Sequence, residues 1–287
     1  MCERIYDCGQ LRLCAAVGPD NGPPLVLLHG VTRNWRDWRP VLPELMSRWR
    51  VFALDHRGHG GSERCAHEYH VADFAADALA FVQRHVGACA VLWGHSLGAM
   101  VAANVAARAP ERIAALVLED PPGTLLASGI VESRYSLQFT GTRRLLDEKL
   151  DATALAERLA GLPVQHPRDG RIVEFREIRD AAALRFGAEC LVKMDTAVLD
   201  VLLAGRWLEG LDWFGELPRI VCPTLLLRAD TDCGGMLSEA EAARIAQLIR
   251  HCRRVDRPGL GHGLHSANPQ GTLALVRDFL ASLDPPT

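Results

Sequence analysis

The stretch Gly94-His95-Ser96-Leu97-Gly98 separates two segments of opposite character. Ahead of it, Ala88-Cys89-Ala90-Val91-Leu92-Trp93 is short and apolar, the pattern of a buried strand. Behind it, residues 97–108 are rich in alanine and predict a helix. Ala109-Pro110 ends that helix, because proline disfavours the helical conformation in the residue before it. A strand that turns at once into a helix forces the apex residue, Ser96, into a strained backbone conformation. Side chains two positions to either side would collide there, and Gly94 and Gly98 leave the room. The helix N-terminus offers unpaired N–H groups and the positive end of a dipole, both suited to a developing oxyanion. This is the context that a G-x-S-x-G nucleophile elbow requires; the plainer alternative is a strand-to-helix turn that happens to hold a serine.

Working outward, the same βα rhythm recurs. Two short strands, near 5–9 and 11–17, precede a loop rich in Gly and Pro. Leu25-Val26-Leu27-Leu28 is an apolar strand closed by His29-Gly30-Val31-Thr32, and a helix anchored by Trp38, Leu42, Leu45 and Met46 follows. Val51-Phe52-Ala53-Leu54-Asp55 is the next strand, and residues 71–86 carry apolar positions at helical spacing. Ile113-Ala114-Ala115-Leu116-Val117-Leu118 follows the elbow helix as a further strand. The rhythm then breaks. Residues 124–217 read as helical and charged with no clear strand, and the strand pattern resumes over 219–228. Helices are expected near 238–248, where Ser238 caps toward Glu241, and over 269–283, with a short strand at 253–256 between them. Strands alternating with helices predict an α/β fold with a mostly parallel, doubly wound sheet. The core domain is expected from residues 1–123 and 218–287, and residues 124–217 as an inserted helical cap.

The 287 residues suffice for such a core, with 48% hydrophobic content and a net charge of −3 from 32 basic and 35 acidic residues in no long blocks. That balance gives no sign of a nucleic-acid or charged-membrane partner. No window reaches the ~20 apolar residues of a membrane span, and the N-terminal residues lack the apolar core of a secretion signal. Nine scattered cysteines with no C-x-x-C pair fit reduced thiols and a cytoplasmic location. Cys89 and Cys222 fall in expected strands and read as small core residues.

Together these motifs resemble the α/β-hydrolase superfamily over essentially the whole chain. They are His29-Gly30 after a strand, Asp55-His56-Arg57-Gly58-His59-Gly60 with Ser62, the elbow, and Gly261-His262 before the last helix. Leu118-Glu119-Asp120-Pro121-Pro122 and Gly234-Gly235-Met236-Leu237 are similar to a subgroup that includes N-formylmaleamate deformylase.

Serine hydroxyl is a poor nucleophile at neutral pH and needs an adjacent base. The resemblance places that base at His262, with Ser96 as nucleophile. The acid that orients the imidazole is one of three aspartates by position. Asp232 follows the strand of Leu225 to Leu227, where most superfamily members carry it. Asp120 ends the strand after the elbow helix, a position used by a minority that includes the deformylase-like group. Asp230 is a third candidate by position. Asp120 is the first choice and Asp232 the next. The backbone N–H groups of Val31 and Leu97 are expected to form the oxyanion hole, and Thr32, Trp35, His95 and Trp207 are candidate substrate contacts. Asn34, Trp38, Tyr135, Phe139 and Met194 are further lining candidates, for which packing is the simpler role. His265 reads as a pocket or surface residue. His56 to His59 and His67 to His70 have H-x-x-H spacing without a third ligand, and no metal or cofactor is expected.

The resulting expectation is a cofactor-free serine hydrolase for a small ester, lactone or amide. Carbon–carbon hydrolysis and perhydrolysis reuse the same groups. Epoxide hydrolase and dehalogenase activity are disfavoured, because such relatives carry aspartate where Ser96 stands. The competing class is a non-catalytic ligand-binding protein on the same fold. Specificity and oligomeric state are not legible at this level.

Overall fold

A computed structural model describes residues 1–66, 69–126 and 130–283. Its centre is an eight-stranded sheet in the order β1-β2-β4-β3-β5-β6-β9-β10. The strands are β1 (Cys2–Asp7), β2 (Arg12–Val17), β3 (Pro24–Leu28), β4 (Arg50–Leu54), β5 (Ala90–His95), β6 (Ile113–Glu119), β9 (Thr224–Ala229) and β10 (Cys252–Arg257). From β4 to β10 every pairing is parallel; β1 and β2 add an antiparallel edge. The helices are α1 (Leu42–Leu45), α2 (Val71–Phe81), α3 (Leu97–Arg108), α4 (Ser136–Asp147), α5 (Ala152–Ala160), α6 (Ala181–Leu191), α7 (Ala197–Leu203), α8 (Trp213–Glu216), α9 (Glu239–Leu248), α10 (Leu264–Ala267) and α11 (Pro269–Ala281).

The central strands are apolar on both faces because helices cover both. Successive residues feed two separate cores. Leu25, Leu27, Val91, Trp93, Val117 and Leu227 join Trp38 and the helices α1 and α11 on one side. Val26, Leu28, Leu92, Leu116, Leu118 and Leu226 join α2, α3 and α9 on the other. This is the two-residue period of a strand acting on a sheet with no solvent face. The expected capping of α9 is present, with Ser238 accepting from the Glu241 amide.

Three local expectations are corrected. The segment 124–217 contains a strand pair, β7 (Pro163–Gln165) and β8 (Ile172–Glu174), three residues each and too short for a periodic signal. Strand β9 begins at Thr224, later than expected, because Pro223 precedes it. Cys89 is exposed just before β5 starts, its thiol turned to the Glu111 carbonyl; Cys222 also precedes its strand, β9, but is buried as a small core residue should be.

Residues of 124–217 share an apolar cluster with the sheet: Phe139, Leu155, Leu184, Val198, Leu202 and Trp213 pack into the core of α2 and α3. Polar ties add to it. Asp195 accepts from the Tyr69 hydroxyl and donates its amide to the Gly58 carbonyl, and Arg134 donates to the Thr231 carbonyl. Among the described residues no helix is long and apolar enough to cross a membrane.

Candidate active site

The elbow is strained as its sequence requires. Ser96, between β5 and α3, has φ of 56°, a region that residues with a side chain rarely enter. A Cβ on Gly94 would strike the Gly98 carbonyl, and one on Gly98 would strike the Leu28 carbonyl. Leu97 is the first residue of α3, so its N–H has no acceptor within the helix.

Asp120 follows β6 with φ of 45° and is fully buried. Its carboxylate accepts from the amides of Met236 (2.8 Å), Ala229 (3.1 Å) and Leu237 (3.4 Å). The same carboxylate meets Nδ1 of His262 at 2.6 Å. With Nδ1 so engaged, Nε2 is the ring atom left for chemistry. The neighbouring backbone donors orient the carboxylate, so its partnership with His262 is fixed from both sides.

Asp232 lies elsewhere. It is exposed in a short turn, its amide bonded to Asp230, whose carboxylate also accepts from Gly259. Asp230 and Asp232 thus shape the loop after β9, and neither is a partner of His262.

Ser96 and His262 line one cavity together with Val31, Thr32, Arg33, Tyr135, Gln138, Phe139, Arg179 and Met236. Val31 is held by its carbonyl, which accepts from Nε2 of His59. His59, His56 and His29 form a buried cluster under that loop, the His56 amide donating to His29 Nε2. Burial pushes the His56 imidazole down to about 3 and lowers His29 and His59 as well. His67 and Glu68 lie outside the described residues.

Of the remaining candidates, Thr32 and His95 face the cavity. Trp35 does not: its indole bonds Glu3 and its amide bonds Asp55 on another face. Trp207 is fully buried in the core beside α2, its carbonyl accepting from Val71, and Met194 is buried likewise. Trp38 packs in the core. Aromatic size alone does not distinguish a pocket wall from a core anchor.

Arg33, Asp37, Gln138 and Arg179 carry no motif and escaped sequence reasoning. Arg33 lies 3.7 Å from Asp37. Arg179 faces the cavity, and among the described residues no carboxylate is within ion-pair distance of it. Burial by surrounding protein, then the like charge of Arg33, holds its guanidinium below the usual range. A second pocket shares Thr32, Arg33, Phe139 and Arg179 and continues into an apolar wall of Leu159, Phe175, Leu184 and Leu191.

Beneath the elbow, His265 bridges two buried carboxylates: Nδ1 meets Glu119 at 2.8 Å, and Nε2 lies 3.3 Å from Asp37. Burial opposes its positive charge, but Glu119 and Asp37 outweigh that and raise it to about 10.

The family model for the alpha/beta hydrolase fold matches residues 23–269, and the chain belongs to that family. It is a hydrolase of this fold. The 2-(acetamidomethylene)succinate hydrolase of Mesorhizobium japonicum is 26% identical over 97% of this chain and 95% of its own length. Epoxide hydrolase 3 of Xenopus tropicalis is 26% identical over 96% of this chain and 76% of its own. Among solved structures, the N-formylmaleamic acid deformylase of Pseudomonas putida S16 superposes with a TM-score of 0.75 at 21% identity, covering 96% of this chain and all of that one.

Proposed function

We propose that the chain is a serine hydrolase cleaving a small ester, lactone or amide through an acyl-enzyme at Ser96. The observation that carries this reading is the Asp120–His262 contact at 2.6 Å beside the cavity that holds the strained Ser96. His262 Nε2 takes the Ser96 proton as Oγ attacks the carbonyl carbon, and Asp120 stabilises the imidazolium. The N–H groups of Val31 and Leu97 hold the oxyanion. Collapse of the tetrahedral intermediate breaks the bond to the leaving group, which receives the proton from His262. Water, deprotonated by the same imidazole, then frees the acid and restores Ser96.

Residues 124–217 act as a cap in this reading, since Tyr135, Gln138, Phe139 and Arg179 all come from it. Two further features narrow the substrate. Arg179 and Arg33 offer cationic hydrogen-bond donors inside the cavity, which suits an acyl compound bearing a carboxylate. The names of the succinate and maleamic acid relatives point the same way. Epoxide opening is disfavoured by the nucleophile: an oxygen of serine would leave an ether that imidazole and water do not cleave, whereas a carboxylate nucleophile leaves a hydrolysable ester. The nine scattered cysteines, with no C-x-x-C pair among them, suit a reducing compartment such as the cytoplasm.

The test is covalent labelling by a fluorophosphonate at neutral pH, with an ester and amide panel assayed in parallel. Labelling and turnover are both expected in the native protein and both absent in Ser96→Ala. An inert Ser96 would instead favour a ligand-binding protein on a hydrolase fold.

A further inference from the structure

Outside the Ser96, His262 and Asp120 set, one cluster of buried polar groups has no assigned work. Asp37, His95 and His265 place a carboxylate oxygen and two ring nitrogens within 4.8 Å of one another. Asp37 Oδ2 is 3.3 Å from His265 Nε2 and 3.8 Å from His95 Nδ1. Both nitrogens are buried and neither makes a well-formed hydrogen bond; His265 Nε2 has Asp37 as its ion-pair partner, and His95 Nδ1 is left without one. A buried polar atom without a partner is costly, and His95 Nδ1, aimed at the same carboxylate, calls for an explanation.

The opposite nitrogens supply it. His265 turns Nδ1 to the Glu119 carboxylate at 2.8 Å, and His95 turns Nε2 to the His262 carbonyl at 3.1 Å. Metal-bound imidazoles hold their second nitrogen this way, which leaves the other to the ion, at His265 once the ion displaces its proton. Glu119 is itself held, accepting from the Trp93 indole at 2.9 Å, and Trp38 stacks on the His265 ring. Charge agrees with geometry. Two carboxylates, Asp37 and Glu119, are buried here around His265, so a divalent ion that replaces the His265 proton balances both, with Arg33 only skirting the cluster at 3.7 Å from Asp37. Ligands bound ~2.0–2.1 Å from a tetrahedral ion stand about 3.4 Å apart, and the two Asp37 separations are close to that.

We propose that Asp37, His95 and His265 form a site for a borderline divalent transition cation of the zinc or cobalt class. The donor set of two imidazoles and one carboxylate suits such ions and does not suit magnesium or calcium, which take oxygen ligands. Asp37 and His95 line the catalytic cavity, which gives the ion a way in. Bound there, it would tie the turn Trp35–Trp38, the last residue of β5 and α10 together beneath the elbow.

The site is tested on full-length protein stripped of metal with a chelator, then titrated with Co²⁺ and with Zn²⁺ by calorimetry and visible absorption. One cation per chain is expected, with the d–d bands of Co²⁺ in a low-symmetry site and no thiolate-to-cobalt charge-transfer band. Asp37→Asn and His265→Gln are each expected to weaken binding at least tenfold, with folding checked by circular dichroism. Absence of stoichiometric binding by the native protein overturns the proposal, as does a thiolate band or binding that both variants leave unchanged. Fluorophosphonate labelling of the same samples reports Ser96 separately, so a failed metal site leaves the hydrolase reading standing.

Discussion

Asp120 and His262 are 142 residues apart in the chain, and their side chains meet at 2.6 Å at the C-terminal end of the sheet. The contact joins the end of β6 to the loop before α10. Asp120 cannot swing away, because amides from the end of β9 and from the loop after it hold both of its oxygens.

That geometry separates the two aspartates. Asp120→Asn keeps the shape but places an NH₂ against backbone donors and loses the charge that steadies the imidazolium. It is expected to lower kcat by roughly 10³–10⁴ on the scale seen for orienting acids in other triads. Asp232→Asn is expected to stay within a few-fold. Steady-state kinetics on one ester decides, and equal mild losses from both would refute the assignment.

A second expectation concerns the elbow. Gly98→Ala drives a Cβ into the Leu28 carbonyl, which belongs to rigid sheet backbone. Overpacking of this kind costs about 1–3 kcal/mol. Thermal unfolding is expected to shift down, with kcat falling further than the stability loss explains, because Ser96 is displaced. A variant with native midpoint and native kcat would show that the elbow is loosely packed.

Arg179 gives the substrate test. Arg179→Gln removes a cation whose loss of a charged hydrogen bond is worth about 1.5–3 kcal/mol, or roughly 10–150-fold in kcat/KM. The loss is expected for monoethyl esters of succinic, glutaric and adipic acid. Ethyl butanoate, ethyl pentanoate and ethyl hexanoate lack the second carboxylate and are expected to change little. Equal effects on both series would remove the carboxylate from the reading.

The histidine cluster sets an acid limit. His29, His56 and His59 are buried, with folded-state values below the ordinary 6.5, that of His56 about 3. The unfolded chain therefore binds more protons below pH ~6.5, and stability falls as pH drops through that window. Each such group contributes a slope of up to about 1.4 kcal/mol per pH unit. Denaturant midpoints measured between pH 7 and pH 4 are expected to fall steeply, and His56→Gln to flatten the curve. A flat native profile would mean that these rings are charged in the folded state.

The local rules wrote much of this molecule into its sequence. The apolar tetrads of β3 and β5 declared a sheet buried on both faces, and Gly94 and Gly98 declared the bend at Ser96, because strand period and backbone clash act over a few residues. The strand pair β7–β8 was illegible for the same reason: three residues hold too little period to read. Asp120 and Asp232 both end strands and look alike in one dimension. Only the stacking of β6 beside β9 brings the amides of Ala229 and Met236 onto Asp120, and that depends on pairing between distant segments. Trp35 and Trp207 likewise carry no label that separates wall from core, and Arg33, Asp37 and Arg179 gain meaning from what surrounds them. Sequence determined the elements and the strained bend at Ser96, whose causes are local; tertiary structure alone decided which charges face one another, since electrostatic partners are set by distance in space.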